Sequence, residues 1–427
     1  MKVLRQSIGK TSYLRRLAGA ANKRSFLRYL FSAMLLLACG AASAQSTYHT
    51  SGQCDGYPRL DLKVAQGMCI GLLAEHLGFV RGVAAIGQDI YVLDMGGWVN
   101  KRGRLLRLNL KQGSKPEVLM SQLDMPNAIL ATPDKRLLIS VLWRIVRIDP
   151  AARNPAATMQ DVVINLPATG RHPLAAMVLG ADGSLYINVG SATDNCESKP
   201  DQPGKSAFPC PEIKETPPRG SVLQAKLPAN GPPLDARTIP VHARGLRNSM
   251  ALALTPNGKL IAATNSRDNI NVADPKLSDA ALPHDTLSWV LAGADYGWPY
   301  CFDKLRSSPE YPDFDCSKKT APSRLLPPHA APLGMLIYSG KSMPALAGRL
   351  IIGYHGYRAT GHKLVSLALN AAYQPAGEPQ DLVSGWNFLS GKHPMGAPLG
   401  LATLDDGSIV ITEDRNGTLL RLAADRR

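Results

Sequence analysis

Several signatures of common chemistry are missing from this chain. There is no Gly-x-Ser-x-Gly elbow, no Walker loop, and no dinucleotide fingerprint between a strand and a helix, so nucleophilic serine catalysis and nicotinamide binding are both poorly supported. No Cys-x-x-Cys-His occurs, and the cysteines lack metal-finger spacing, so any electron acceptor has to be a separate molecule. Acids are in deficit, with 33 Asp and Glu against 48 Lys and Arg. The apolar run at 29–38 is too short and too one-sidedly flanked to read as a membrane span.

That run follows a basic stretch without acids and reads instead as the core of an export signal. Two processing readings compete. Leu36-Leu37-Ala38-Cys39 resembles a lipobox, which would anchor the chain through an acylated Cys39, whereas Ala42-Ser43-Ala44 before Gln45 suits an ordinary signal peptidase. The second sets the expected boundaries: a signal at 1–44 and one domain at 45–427. The expected location is periplasmic or secreted, with lipid anchoring as the alternative. Setting aside the eight basic residues of the signal lowers the formal net charge from +15 to +7. Such mild basicity does not argue for nucleic acid; a solvated basic surface or an anionic ligand in one pocket explains it as well. The cysteines beyond Cys39 form three local pairs, Cys54/Cys69, Cys196/Cys210 and Cys301/Cys316, expected as disulfides in an exported protein.

The length after the signal would allow two or three domains, but an internal repeat argues for one. A short turn followed by an apolar strand recurs six times, before Ile90, Leu137, Leu185, Leu260, Leu350 and Ile409. Each copy continues into a second strand, at 105–110, 144–148, 221–227, 286–291, 363–369 and 418–422. Six copies of a multi-strand unit of about 45 to 50 residues predict an all-β fold, a six-bladed β-propeller. Two insertions, 191–219 and 293–332, hold the second and third cysteine pairs and are expected as disulfide-stapled rim loops. The chain stops just after Leu422, so the last blade needs an outer strand from the N-terminal side, with 60–64 as the candidate.

The organising stretch is 243–268. Its middle is a plain hairpin turning at Pro256-Asn257-Gly258. Its ends are polar: Arg247-Asn248 enters the first strand, and Asn265-Ser266-Arg267-Asp268 leaves the second at the same end of the hairpin. The other hairpin exits collect cations and imidazoles, namely His172, His355, Arg358, Lys363 and Arg415. Such a collection suits an anionic ligand, with an imidazole as proton acceptor. Each has a plainer alternative: a packing role for His172, a structural salt bridge for Arg247, and a stacked turn for His355-Gly356-Tyr357-Arg358.

These phrases resemble the glucose/sorbosone dehydrogenases, exported propeller enzymes that use pyrroloquinoline quinone and calcium. The resemblance is carried by the run from Gly180 to Tyr186, Gly245-Leu246-Arg247-Asn248, Asn265 to Asp268, Asp295-Tyr296-Gly297-Trp298-Pro299, Ala331-Pro332-Leu333-Gly334 and His355-Gly356. It implies that His172 is the general base taking the anomeric hydroxyl proton as hydride passes to the quinone. It also implies that Arg247 polarises the quinone carbonyl and that Asn248 contacts the cofactor. Calcium is expected on the backbone carbonyls of Ser266 and Arg267. Arg358 and Lys363 are expected as partners of the cofactor carboxylates, with His355 and Arg415 as further cofactor contacts.

The chain departs from the family pattern at four places. Arg171 stands before His172 where the glucose enzymes have an acid, and Leu174-Ala175-Ala176 replaces a Thr-Arg pair. The turn at His355 is shorter, and Ala397 stands where an arginine is common. The resulting expectation is a quinone- and calcium-dependent dehydrogenase of a sugar or related hemiacetal or aldehyde, passing electrons to an external acceptor such as a c-type cytochrome. The rivals are a calcium-dependent lactone hydrolase, which would need a carboxylate cage at the axis, and a non-catalytic binding propeller.

Overall fold

In the computed structural model the described residues are 48–111, 115–198, 205–386 and 396–426. The expected signal at 1–44 and Cys39 lie outside them. The described residues form one compact unit. They build six antiparallel blades, so the protein is a six-bladed β-propeller.

Each blade has four core antiparallel strands, with further edge strands on three of the six, and its second strand reads as a continuous apolar run because both its faces are covered. Leu137–Val141 and Leu350–Tyr354 are buried at every position. The inner strands Val80–Ile86, Ile129–Ala131, Met177–Leu179, Ala251–Leu254, Pro332–Ile337 and Pro398–Thr403 surround the axis. They pack closely there. A Cβ on Gly334 would sit 1.6 Å from the Leu399 carbonyl oxygen, and one on Gly400 would sit 2.5 Å from that of Arg81. Only glycine permits such an approach between neighbouring blades.

The N-terminal side closes the ring, but with a different segment from 60–64. The strand paired with Thr418–Ala424 is Met68–Ala74, in register from Ala424↔Met68 to Leu419↔Ala74. Its first five residues are buried, whereas Lys63–Val64 is short and only half-covered and pairs instead with the outer strand of blade five. The apolar run Met68-Cys69-Ile70-Gly71-Leu72 therefore takes the place of the fourth, closing strand. Cys54–Cys69 then ties it to the hairpin Thr50–Cys54 and Tyr57–Leu60 outside it.

All three expected disulfides are present. The two insertions pack against each other: Cys196, Cys210, Cys301 and Cys316 share a core with Tyr300 and Tyr311, and Tyr300 stacks on Phe314 at 4.4 Å. Together they form one cap, from which Asp194 reaches Arg247.

Candidate functional site

In each blade the inner strand begins, and the second strand ends, at the same mouth of the axis. A cavity of about 480 Å³ opens there. It is lined by residues that precede inner strands, including His172, Arg247, Asn248 and His329, and by residues that follow second strands, including Asn265, Ser266, Asp268, His355, Tyr357 and Arg358. The repeat itself thus explains why residues far apart in sequence converge.

His172 has a defined tautomer. Its Nδ1 lies 3.1 Å from the Ser191 carbonyl oxygen and 2.9 Å from Ser191 Oγ, whose own hydrogen goes to the Thr193 carbonyl at 2.7 Å. A carbonyl cannot donate, so Nδ1 carries the proton and Nε2 the lone pair. Burial, reinforced by the nearby Arg247 charge, pushes the imidazole well below its ordinary value, so the ring is neutral. Ser191 thus supplies the group that orients the ring.

Arg247 is almost fully buried and nearly saturated. Its Nε donates to the Asp194 carbonyl at 2.8 Å, Nη2 donates to the Asp194 carboxylate, and Nη1 donates to the carbonyls of Asn265 at 3.0 Å and Ser266 at 2.8 Å. The guanidinium therefore sets the shape of the 265–268 turn while lending its charge to the cavity wall. Asp194 also accepts from the Asp268 backbone N–H at 3.0 Å.

A second charge cluster faces His172. His329 Nδ1 meets the Asp268 carboxylate at 3.1 Å and Nε2 meets the Asp279 carbonyl at 2.6 Å. Both partners are acceptors, so both nitrogens donate and the ring is an imidazolium. The Asp268 bond accordingly raises its pKa against the cost of burial. Burial also pushes the Asp268 carboxyl up, but the bond to His329 and the charges of Arg247 and Arg171 outweigh it and hold the group at about 2. Asp285 is fully enclosed; burial raises it to about 6 against the N–H groups of Ser266 and Ala331 at 2.8 and 2.7 Å.

On the far wall the His355 Nε2–H donates to Asp414 at 2.9 Å, and Asp414 also receives Arg81 at 3.1 Å. Arg358 lines the cavity and pairs with Asp279 at 2.6 Å. Arg415 lies outside the lining but covers the ring of Tyr357 at 4.9 Å. Lys363 is not brought to the cavity. It pairs with Asp381 at 3.0 Å on the neighbouring strand, because its place at the start of Lys363–Leu369 directs it along the sheet. The Arg267 guanidinium is likewise turned away and paired with Glu310, and Arg267 lines a separate small cavity instead of this one. Ala397 is wholly buried, and its N–H is spent on Glu413.

A family model described as Glucose / Sorbosone dehydrogenase matches residues 143–371, more than half of the sequence. The chain belongs to the glucose/sorbosone dehydrogenase family. Among curated proteins it is 26% identical over 191 residues to an uncharacterized protein of Borreliella burgdorferi, covering 43% of this chain and 48% of that one. It is also 26% identical over 152 residues to quinoprotein glucose dehydrogenase B of Acinetobacter calcoaceticus, covering 33% of this chain and 28% of that one. The matched stretch is thus under half the length of either relative.

Among solved structures, a carbohydrate-active enzyme of family AA12 from Trichoderma reesei superimposes with a TM-score of 0.69 at 18% identity, covering 88% of this chain and 100% of that one. The holo form of the PQQ domain of pyranose dehydrogenase from Coprinopsis cinerea gives 0.67 at 17% identity, covering 87% and 99%. At these identities the likeness speaks for the fold.

As a member of this family the chain can be tested for fit to a quinone carrying carboxylates. The lining is rich in cations, and Asn248 and Asn265 each carry a buried side-chain oxygen with no partner among the described residues. Unpartnered buried oxygens in a cavity that Ser266 and Asp268 also line suit a hard, oxygen-seeking cation. No cluster of three or more His, Cys, Asp or Glu that could hold a metal occurs among the described residues, so oxygens of a bound ligand would have to complete such a site. The residues fit the group. Among the residues that build the site, Asp285 and His329, which line the cavity, and Asp194, which pairs with Arg247, were not singled out from sequence. His329 could have been, since it precedes the inner strand of blade five as His172 precedes that of blade three.

Proposed function

We propose that the protein is a pyrroloquinoline quinone- and calcium-dependent dehydrogenase that oxidises a sugar or related hemiacetal or aldehyde. The observation that carries this reading is the neutral His172, with Nδ1 fixed on Ser191 and the Nε2 lone pair left for a substrate hydroxyl in a cation-lined cavity. When bound, the quinone supplies a hydride acceptor and the calcium ion polarises it. His172 takes the hydroxyl proton at Nε2, and the resulting imidazolium keeps its Nδ1–H bond to Ser191. Arg247, held rigid by Asp194, contributes a fixed positive charge where negative charge develops. Asn248, Arg358 and His355 would hold and orient the cofactor, and the backbone carbonyls of Ser266 and Arg267 would hold calcium.

The electrons go to a separate acceptor, such as a c-type cytochrome. Three disulfides support export to an oxidising compartment, the periplasm or the exterior. The experiment is a titration of the purified protein with the quinone and calcium, followed by dye reduction across a panel of aldoses and aldehydes. Calcium-dependent binding with turnover supports the reading; no binding at micromolar quinone rejects it.

A further inference from the structure

The second insertion, 293–332, does more than pack against the first: it sends a carboxylate back to the 265–268 turn. Glu310 lies between Cys301 and Cys316 and accepts from Arg267 Nη1, and each of the two side chains is only 3% exposed. Its other oxygen accepts from Asn195 Nδ2 at 3.2 Å, and Asn195 stands between Asp194 and Cys196 in the first insertion. Arg267 also curls over its own turn, donating from Nε to the Asp268 carbonyl at 3.3 Å.

These contacts close a circuit. Arg247 holds the carbonyls of Asn265 and Ser266 and reaches Asp194, the adjoining Asn195 reaches Glu310, and Glu310 returns to Arg267. The second insertion fastens the circuit once more, because the Trp298 indole N–H donates to the Asp194 carbonyl at 3.3 Å. The turn is thus gripped by two buried ion pairs, one from each disulfide-stapled insertion.

The Arg267–Glu310 pair is poorly built as a source of stability. Arg267 Nη2 is buried with no hydrogen-bond partner among the described residues, and only water in the adjoining cavity of about 50 Å³ can serve it. Enclosed charges with a donor left over return little net stability, and apolar residues of similar volume often do as well or better. The pair instead confers direction, since a planar guanidinium holds its partners in a fixed geometry.

We infer that Glu310 is a positioning residue for the cation-binding turn, acting through Arg267, and that the two stapled insertions work as one clamp on that turn. The inference rests on the dehydrogenase reading for the identity of the cation, whereas the clamp itself does not.

The test compares wild type, Glu310→Gln and Arg267→Met/Glu310→Met, the last replacing the pair by apolar side chains. Quinone absorbance is titrated at stepped calcium concentrations, and the calcium needed for half-maximal uptake is expected to rise roughly 10- to 100-fold in both variants. The apolar variant is expected to keep at least the wild-type melting temperature while still needing more calcium, which a role in stability alone would not produce. Hydrogen exchange is followed in parallel, without quinone or calcium, at the Ser266 and Asp268 amides, which donate to Asp285 at 2.8 Å and Asp194 at 3.0 Å. Exchange there is expected to quicken roughly tenfold in both variants while that of Leu350–Tyr354 stays unchanged. That exchange pattern supports the clamp even if the wild type takes up no quinone, the result that would sink the dehydrogenase reading alone. Unchanged exchange at Ser266 and Asp268, faster exchange throughout the blades of the apolar variant, or a wild-type calcium requirement in that variant would each overturn the inference.

Discussion

A neutral imidazole whose proton is pinned on Ser191 can act only through Nε2, and removing it leaves no other neutral base with that geometry among the described residues lining the cavity. His172→Ala is expected to lower kcat by about 10²- to 10⁴-fold while leaving the quinone absorbance titration unchanged. The competent form is the neutral ring, and its pKa lies below the ordinary 6.5. The acid limb of kcat/KM is therefore expected below pH 6.5; a limb at or above that value would contradict the assignment.

His329 works in the opposite sense. Its folded pKa is raised, so its ion pair with Asp268 stabilises the fold fully below the unfolded value of 6.5 and loses that contribution as pH rises through the folded value. The melting-temperature difference between wild type and His329→Gln should accordingly be largest near pH 6 and shrink as pH increases. A difference that grows with pH would show that His329 is neutral in the folded protein.

At the scale of single elements, the 265–268 turn owes its shape to a buried pair drawn from two distant segments. Asp194→Asn would leave the Arg247 charge enclosed without its carboxylate, and a loss of about 3 to 5 kcal/mol is expected by urea denaturation, together with weaker quinone binding. Arg247-Asn248 and Asn265 to Asp268 were legible in the sequence because hairpin periodicity places both ends of a strand pair at one mouth. Asp194 was not, since it sits in an insertion with no period and meets Arg247 only through the disulfide-stapled cap. The same limit explains Lys363 and Arg267: their blades and strand ends could be read, but the direction of each side chain depends on local carboxylates, Asp381 and Glu310, that periodicity does not locate.

For the whole molecule, ring closure is the global constraint. Six turn-and-strand repeats were enough to predict six blades. The closing strand was harder to place because two strand-like stretches lie near the N-terminal side, 60–64 alternating apolar and charged residues and 68–72 nearly all apolar. Burial on both faces distinguishes the second. Cys54–Cys69 closes a loop with a sequence separation of 15 around this strand, so Cys54→Ser/Cys69→Ser should cost about 3 kcal/mol in urea. The loss should be accompanied by faster proteolysis at the 48–74 segment, whose detachment would uncover the edge of Thr418–Ala424.

The most direct test of the central claim is spectrophotometric titration of the purified protein with pyrroloquinoline quinone, with and without calcium, in wild type and His172→Ala. Saturable, calcium-dependent uptake by both proteins, with aldose-dependent dye reduction only in wild type, is the predicted result. Failure of the wild type to bind quinone at micromolar concentration, or full turnover in His172→Ala, would contradict it.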